Sequence, residues 1–447
     1  MMLGIRDLLP FLFLIYLFSD SVLRKKPNYI AILTYGFFLG FLRRLLPNDS
    51  IFMQNKFYLD PLLLVIPISL LLCLSVSKIG QLDSKILNYS LKLLILLSTI
   101  QIFNPRQGSV LVGLVGWLAY VVPILFVYLG TTVDDNALNR ILEALKLLGL
   151  IVCAYGLAQV VFGYNFWDRR WYQIVTRNGD YTVLAYGINR PFGTFSSVGE
   201  YAQVIGLATV AVVFQYLNSV ISFRRFFSYV VFFLMSSALT ASRGSLIFTF
   251  MIALAPALFA STKKLKATLL IPKLLPYAVG TAWAVPLIVD LIPSDSLGNA
   301  KLLVDRQAAG LAGNHSEVTS ASVHITQTLD AFRESFSSIF GYGVGAISGA
   351  QRLNGLTRLN FESDIGNSSY AFGIFGFIIM LLVFYSLYSA LIKCNSKLSI
   401  LGFLILLASI NNWFNPGHYS TVWLVWLLMG KVFSARREIE IEPIKNH

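Results

Sequence analysis

The chain alternates long apolar runs with short polar breaks. The repeat length matches the thickness of a bilayer rather than the core of a soluble domain, since a helix needs about 20 apolar residues to cross the hydrocarbon. Windows of that size give about thirteen candidates, roughly 8–22, 28–46, 61–77, 86–103, 110–130, 138–162, 197–218, 225–241, 244–260, 269–292, 369–392, 398–413 and 418–433. The expected fold class is therefore an all-α polytopic membrane protein of about 12–13 transmembrane helices, with 1–447 as a single integral membrane domain. Two long polar segments interrupt the pattern, roughly 163–196 and 293–368. In the second, SVHITQTLDAFRESFSSIF (322–340) sets Val323, Ile325, Leu329, Phe332, Phe336, Ile339 and Phe340 near a 3.6-residue spacing. That predicts an amphipathic helix that lies on the membrane or caps a cavity. A long loop with its own helix is usually functional rather than a connector.

Composition narrows the class. Hydrophobic residues make up 56% and charged residues 13%, against roughly a quarter charged in a soluble domain. A water-soluble globule is excluded, and so is disorder, which needs low hydrophobicity. The net charge of +13 comes from 35 Lys+Arg and 22 Asp+Glu. Arg24-Lys25-Lys26, Lys78 with Lys85, Arg224-Arg225, Lys263-Lys264-Lys266, Lys393 with Lys397 and the tail after Lys431 all fall on one side of the alternation. The positive-inside rule makes that side cytoplasmic, with the C-terminus inside and, for thirteen spans, the N-terminus outside. The two long polar segments are charge-neutral, so the basic excess is an orientation signal and not a nucleic-acid footprint. Arg43 and Arg44 then fall at an outer helix end, against the rule. Either the count shifts there or these arginines have a job.

No cleavable signal is expected, because Arg24, Lys25 and Lys26 follow the first apolar stretch. Cys73, Cys153 and Cys394 form no spaced pair. His315, His324, His418 and His447 show no metal-ligand spacing, and no Walker loop or GxSxG occurs, so neither metal nor cofactor is expected. Arg243, in SSALTASRGSLIFTF, lies between two apolar runs. It either binds an anion, a task suited to a bidentate and permanently charged guanidinium, or snorkels at an interface. Arg190 opens RPFGTFSSVGEYA, where Ser196 or Ser197 can cap the next helix. Glu200 there reads as dipole compensation, and Tyr201 as interface belt. Gly341 to Gly345 read as a turn closing the amphipathic helix. Arg352, Arg358, Glu362 and Asp364 form either a solvated charge cluster or a base with phosphate ligands. His324, on the polar face of the amphipathic helix, reads as a surface histidine.

Four segments, RPFGTFSSVGEYA, LTASRGSL, SIFGYGVGA and ESDIGNSSYAFGIFGF, in this order over about 186–392, resemble the O-antigen ligase/polymerase family of bacterial surface polysaccharide assembly. The resemblance implies a helical bundle similar to the C-type glycosyltransferases, in the bacterial inner membrane with a periplasmic active face. It implies metal-independent glycosyl transfer between glycans on undecaprenyl pyrophosphate, with lipid A core as the acceptor for ligases. Chain-length regulator and flippase proteins are implied partners beside the lipid bilayer. Carried onto this chain, it makes Arg190 and Arg243 holders of the donor pyrophosphate, with Arg352 and Arg358 as further ligands. Glu362 or Asp364 would be the base, His324 the substitute base, and Glu200 and Tyr201 would face the acceptor glycan. Family ligases tend to carry a histidine with Asn before the Gly-x-x-Gly helix. This chain has Glu362-Ser363-Asp364 there, which favours a repeat-unit polymerase. The rival reading is a transporter or flippase of lipid-linked or small polar substrates, motivated by Pro67, Pro123, Pro256, Pro276 and Pro286 within the apolar windows. Charge concentrated at helix ends, with Lys92 and Lys273 the main exceptions, weighs against it.

Overall fold

The computed structural model describes residues 5–45, 60–77, 79–177, 184–185, 188–261, 276, 299–311, 315–354, 363–393, 397–410 and 412–434. Its helices begin with α1 (Ile5–Arg24), α2 (Tyr29–Arg44), α3 (Val65–Val76, entered through a 3-10 turn at Pro61–Leu64), α4 (Lys85–Ile100) and α5 (Val110–Gly130). They continue with α6 (Asp135–Val161), α7 (Phe166–Arg177), α8 (Val198–Leu217), α9 (Phe223–Leu239) and α10 (Arg243–Ser261). Then come α11 (Asn299–Leu311), α12 (His315–Ser337), α13 (Asp364–Lys393), α14 (Lys397–Ala408) and α15 (Tyr419–Ser434). Twelve of the expected windows coincide with a helix, and the window 269–292 lies outside the described residues apart from Pro276. Among the described residues, five helices are long and apolar enough to cross a membrane: Lys85–Phe103, Val110–Gly130, Asp135–Val161, Val198–Leu217 and Asp364–Ile392. The architecture is that of an α-helical membrane protein, in which several of the expected spans are shorter than a bilayer crossing.

Helix starts follow the capping rules. Ser109, Asp134 and Ser197 each accept a hydrogen bond from the backbone N–H three residues on, satisfying donors that the first turn cannot. The helix α8 is apolar all round and is the central element: 94% of its apolar window is buried, against 39% for α4. It packs on α6, α9, α10 and α14. The most extensive helix pair is α5 with α15. There Gly130 and Gly430 face each other, and a Cβ on either would collide with a carbonyl of the opposite helix, at Leu427 and Val127. Small residues of this kind let helices approach where lipid supplies no hydrophobic drive.

The helix ends sort into two groups. At one end Lys26 reaches Asp134 at 3.7 Å, Lys431 reaches Asp135 at 2.9 Å, and the Tyr29 and Thr132 hydroxyls lie 2.7 Å apart. The opposite end holds Arg44, the 190–197 loop and the turns after α4 and α14. Neither long polar segment is a plain loop. The first contains α7 and a two-residue antiparallel ladder, β1 (Leu184–Ala185) with β2 (Ile188–Asn189). The second contains α11, packed on α9, α6, α10 and β2, and α12, packed along α13.

The amphipathic helix departs from expectation. It spans 315–337 rather than 322–340, and the predicted face divides. Phe332 packs on Phe377 with ring centroids 4.7 Å apart, while Ala331 and Ser335 are buried. Leu329, Phe336, Ile339 and Phe340 are exposed. Small residues take the buried side because α13 approaches closely there. The large apolar ones form an outward strip suited to a membrane face.

One ion pair locks the Arg44 end. Arg44 at the close of α2 donates to Asp168 in the first turn of α7 at 2.6 Å, and both side chains are 0% exposed. Asp168 also accepts from Tyr155 at 2.9 Å and Gln159 at 3.0 Å, both on α6. Arg44 donates to the Phe195 carbonyl and lies 4.4 Å over the Phe192 ring. Gln159 completes the lock by accepting from Phe192 N and Gly193 N at 3.0 and 2.9 Å. Removing one partner of a buried pair leaves an uncompensated charge and costs about 3–5 kcal/mol. Asp168→Ala is therefore expected to lower unfolding stability in detergent by about that amount. The double variant Arg44→Met/Asp168→Leu should lose less than the single one. Equal losses in thermal unfolding would show that the pair is not the unit.

Candidate functional site

The 190–197 loop meets α2 through its backbone. Thr194 Oγ1 donates to the Phe37 carbonyl at 2.5 Å, and a Cβ at Gly40 would collide with the Phe195–Ser196 peptide. This close approach carries Arg43, one residue before the lock, into the interior. Arg43 Nε lies 3.4 Å from Asp60 Oδ2, Nη1 donates to Ser196 Oγ at 3.2 Å, and the guanidinium sits 5.0 Å over the Trp171 ring. Trp171 is fixed in turn by donating Nε1–H to the Ser196 carbonyl at 3.0 Å. Asp60 uses its other oxygen to accept from Leu62 N at 3.1 Å, capping the 3-10 turn before α3.

Glu200 does more than compensate a helix dipole. It is 3% exposed and bridges two helices. One carboxylate oxygen accepts from Ser196 N at 3.1 Å, and the other accepts from Ser420 N at 3.1 Å and from the Ser420 hydroxyl. Ser348, Gly349 and Ala350, placed by the glycine-rich segment, line the same space. Gln107 accepts from Gly345 N at 2.9 Å, and Gly116 on α5 leaves room for the Gly345 backbone. Together these groups enclose a cavity of about 230 Å³ at the Arg44 end, lined also by Leu39, Leu63, Leu64, Pro67, Leu118 and Tyr419.

The four motif segments lie at this end as two contacting pairs. Arg190 Nε donates to the Thr240 carbonyl at 2.7 Å, joining the Arg190 loop to the turn that precedes Arg243. That turn carries Ala241 at φ 51°, a left-handed residue between α9 and α10. The third and fourth segments pair through backbone: Tyr342 N donates to Tyr370 O at 3.0 Å and Gly343 N to Ala371 O at 2.9 Å. The expected helix with Gly-x-x-Gly is broken at Gly373 (φ 65°), where Gly341 (φ 69°) crosses it. Both positions sit in the left-handed region, and a Cβ on either would strike the other strand's carbonyls. Gly341 thus closes α12 with a turn, as expected.

The remaining expected site residues fall as follows. Arg190 and Arg243 are half-buried and neighbour each other through Thr240, but neither lines the 230 Å³ cavity. Glu200 lines it. Tyr201 does not and is no interface-belt residue: it is 1% exposed, packed on Gly156 and Gly193, with its hydroxyl bonded to Cys153 and Ser236. An acceptor-facing role for Tyr201 is corrected on that ground. Asp364 is buried as well. It is 1% exposed, and its oxygens accept from Trp413 N at 2.7 Å and Phe414 N at 3.1 Å, holding the turn before α15. His324 falls within α12 and Arg352 within the 3-10 stretch Gly349–Asn354. Their side chains, and Arg358 and Glu362 entirely, lie outside the described residues.

Sequence reasoning passed over Asp60, Trp171, Ser348 and Ser420. Asp60 had a readable signal, an Asp before Pro as the cap of a helical turn. Arg43 had one too, its violation of the positive-inside rule. Trp171 had none, because the charges around it in FWDRRWYQ mask the helix that buries it.

Glu200→Ala strands two amides and one hydroxyl. Each donor that water does not reach costs about 1–3 kcal/mol. Glu200→Gln keeps one carbonyl acceptor and is expected to lose clearly less in thermal unfolding than Glu200→Ala. Wild-type stability in Glu200→Ala would refute the bridge.

No known family's sequence profile matches the chain, and no curated protein matches it.

Proposed function

We propose that the protein is a membrane glycosyltransferase that polymerises undecaprenyl-pyrophosphate-linked oligosaccharide repeat units for a bacterial surface polysaccharide, working at the outer face of the inner membrane. The observation that supports this reading is that four segments, spread over about 186–392, lie at one end of the bundle as two contacting pairs. That end is opposite the lysine-rich one, as the charge distribution requires of an outer face.

The chemistry follows from the residues. An acceptor hydroxyl oxygen attacks the donor's anomeric carbon, the bond from that carbon to the pyrophosphate oxygen breaks, and the pyrophosphate leaves with the bonding electrons. Arg190 and Arg243 supply guanidiniums where charge grows on the leaving group, and fixed donors in a low-dielectric site stabilise it strongly. The hydroxyl proton passes to a base. That base is Glu362 or Asp364, with His324 as the substitute.

Removing one such donor typically costs about 10²–10³ in rate. Arg190→Ala and Arg243→Ala are expected to shorten or abolish the polymer seen on gels of whole-cell polysaccharide. Lysine variants should recover only part, since the bidentate fork is lost. Full-length polymer from stably inserted alanine variants of both would overturn the donor assignment.

A further inference from the structure

The cavity beside Arg43 is built for a different ligand from the one an arginine pair would hold. Among its described lining residues the charged ones are Arg43, Asp60 and Glu200. Arg43 is already matched by Asp60 at 3.4 Å, and Glu200 adds a second carboxylate. A phosphate entering here would face two carboxylates for one guanidinium, so like-charge repulsion disfavours it. The other polar residues of the lining are Ser196, Ser197, Ser348, Ser420, Trp171 and Tyr419. Hydroxyls both donate and accept, which complements a ligand whose own groups do both. Apolar side chains, Leu39, Leu63, Pro67 and Leu118, line the same space. A pyranose ring has a matching mixture, with hydroxyls around its edge and C–H faces above and below.

Size sets the extent of the ligand. The volume of about 230 Å³ equals seven or eight waters at about 30 Å³ each. It falls below the roughly 300–1,000 Å³ of pockets for drug-sized ligands. The enclosed part is on the scale of a single sugar ring, with the opening left for the rest of a longer glycan. The walls are also set in advance. Ser348 donates to Gly345 O at 3.0 Å and accepts from Ala350 N at 3.2 Å, while Asp60 and Glu200 are held by backbone amides. Leu64, 47% exposed, stands at the rim and marks a way in beside the turn before α3.

We infer that this cavity is a subsite for one uncharged sugar residue, held by Arg43, Asp60, Glu200 and the serines together with the apolar side chains of Leu39, Leu63, Pro67 and Leu118. Its assignment to the acceptor's terminal sugar rests on the polymerase reading. Sugar binding itself rests only on the cavity.

The test uses the full chain in lipid nanodiscs and saturation-transfer NMR with free glucose, galactose, mannose and N-acetylglucosamine at millimolar concentration. Inorganic pyrophosphate serves as the anionic probe. The expected result is saturable transfer to at least one sugar that pyrophosphate does not displace. It should be lost in Ala119→Trp, which fills the cavity, and weakened several-fold in Ser196→Ala. The serine variant decides the matter should the tryptophan variant fail to insert. No transfer to any of the four sugars, transfer unchanged in both variants, or displacement by pyrophosphate would each overturn the subsite. Sugar binding that passes these checks while cells lacking the protein still make full-length polymer would uphold the subsite and sink the polymerase reading.

Discussion

The Arg44–Asp168 pair is the interaction on which the functional end depends. Burying two charges is unfavourable unless geometry and further hydrogen bonds compensate. Here they do. Asp168 accepts from Arg44, Tyr155 and Gln159, and Arg44 also reaches a carbonyl and an aromatic face. The pair joins α2 to α6, α7 and the 190–197 loop, across 124 residues of sequence from Arg44 to Asp168. It also sets the direction of Arg43, because consecutive residues at the end of α2 must point differently. One arginine becomes structural and its neighbour lines a cavity.

That end divides its charge in two. Arg43 is neutralised by carboxylates within the cavity, whereas Arg190 and Arg243 sit on the far side of the loop, joined through the Thr240 carbonyl. A glycosyl transfer between lipid-linked sugars needs this division. The leaving group is a pyrophosphate whose negative charge grows as it departs, and it wants guanidiniums. The acceptor is a neutral polyol that wants mixed donors and acceptors with an apolar wall. The loop from Arg190 to Glu200 belongs to both regions, so a shift in it would disturb both together.

Much of the helical layout was legible in the sequence, because apolar run length is a strong and local signal. Twelve windows became helices within a few residues. The cap at Ser197 and the turn at Gly341 were equally local. What escaped depends on partners far along the chain. Glu200 looked like a dipole compensator because Ser420 is 220 residues away. Tyr201 looked like an interface residue because Gly156, which receives it, is on another helix. The α12 face was misjudged because Phe377 selects which side is buried. Arg43 and Arg44 are the instructive case: a broken orientation rule marked them, though no local pattern could name Asp60 and Asp168 as the reason.

The central claim is a division of labour: guanidiniums at Arg190 and Arg243 for the pyrophosphate, and the Arg43 cavity for a neutral ring. A structure of the protein in nanodiscs with an undecaprenyl-pyrophosphate-linked repeat unit tests it most directly. The prediction is pyrophosphate oxygens at about 3 Å from the Arg190 or Arg243 guanidinium, with a sugar ring in the Arg43 cavity. Pyrophosphate seated against Arg43, with Arg190 and Arg243 making no contact to it, would contradict it.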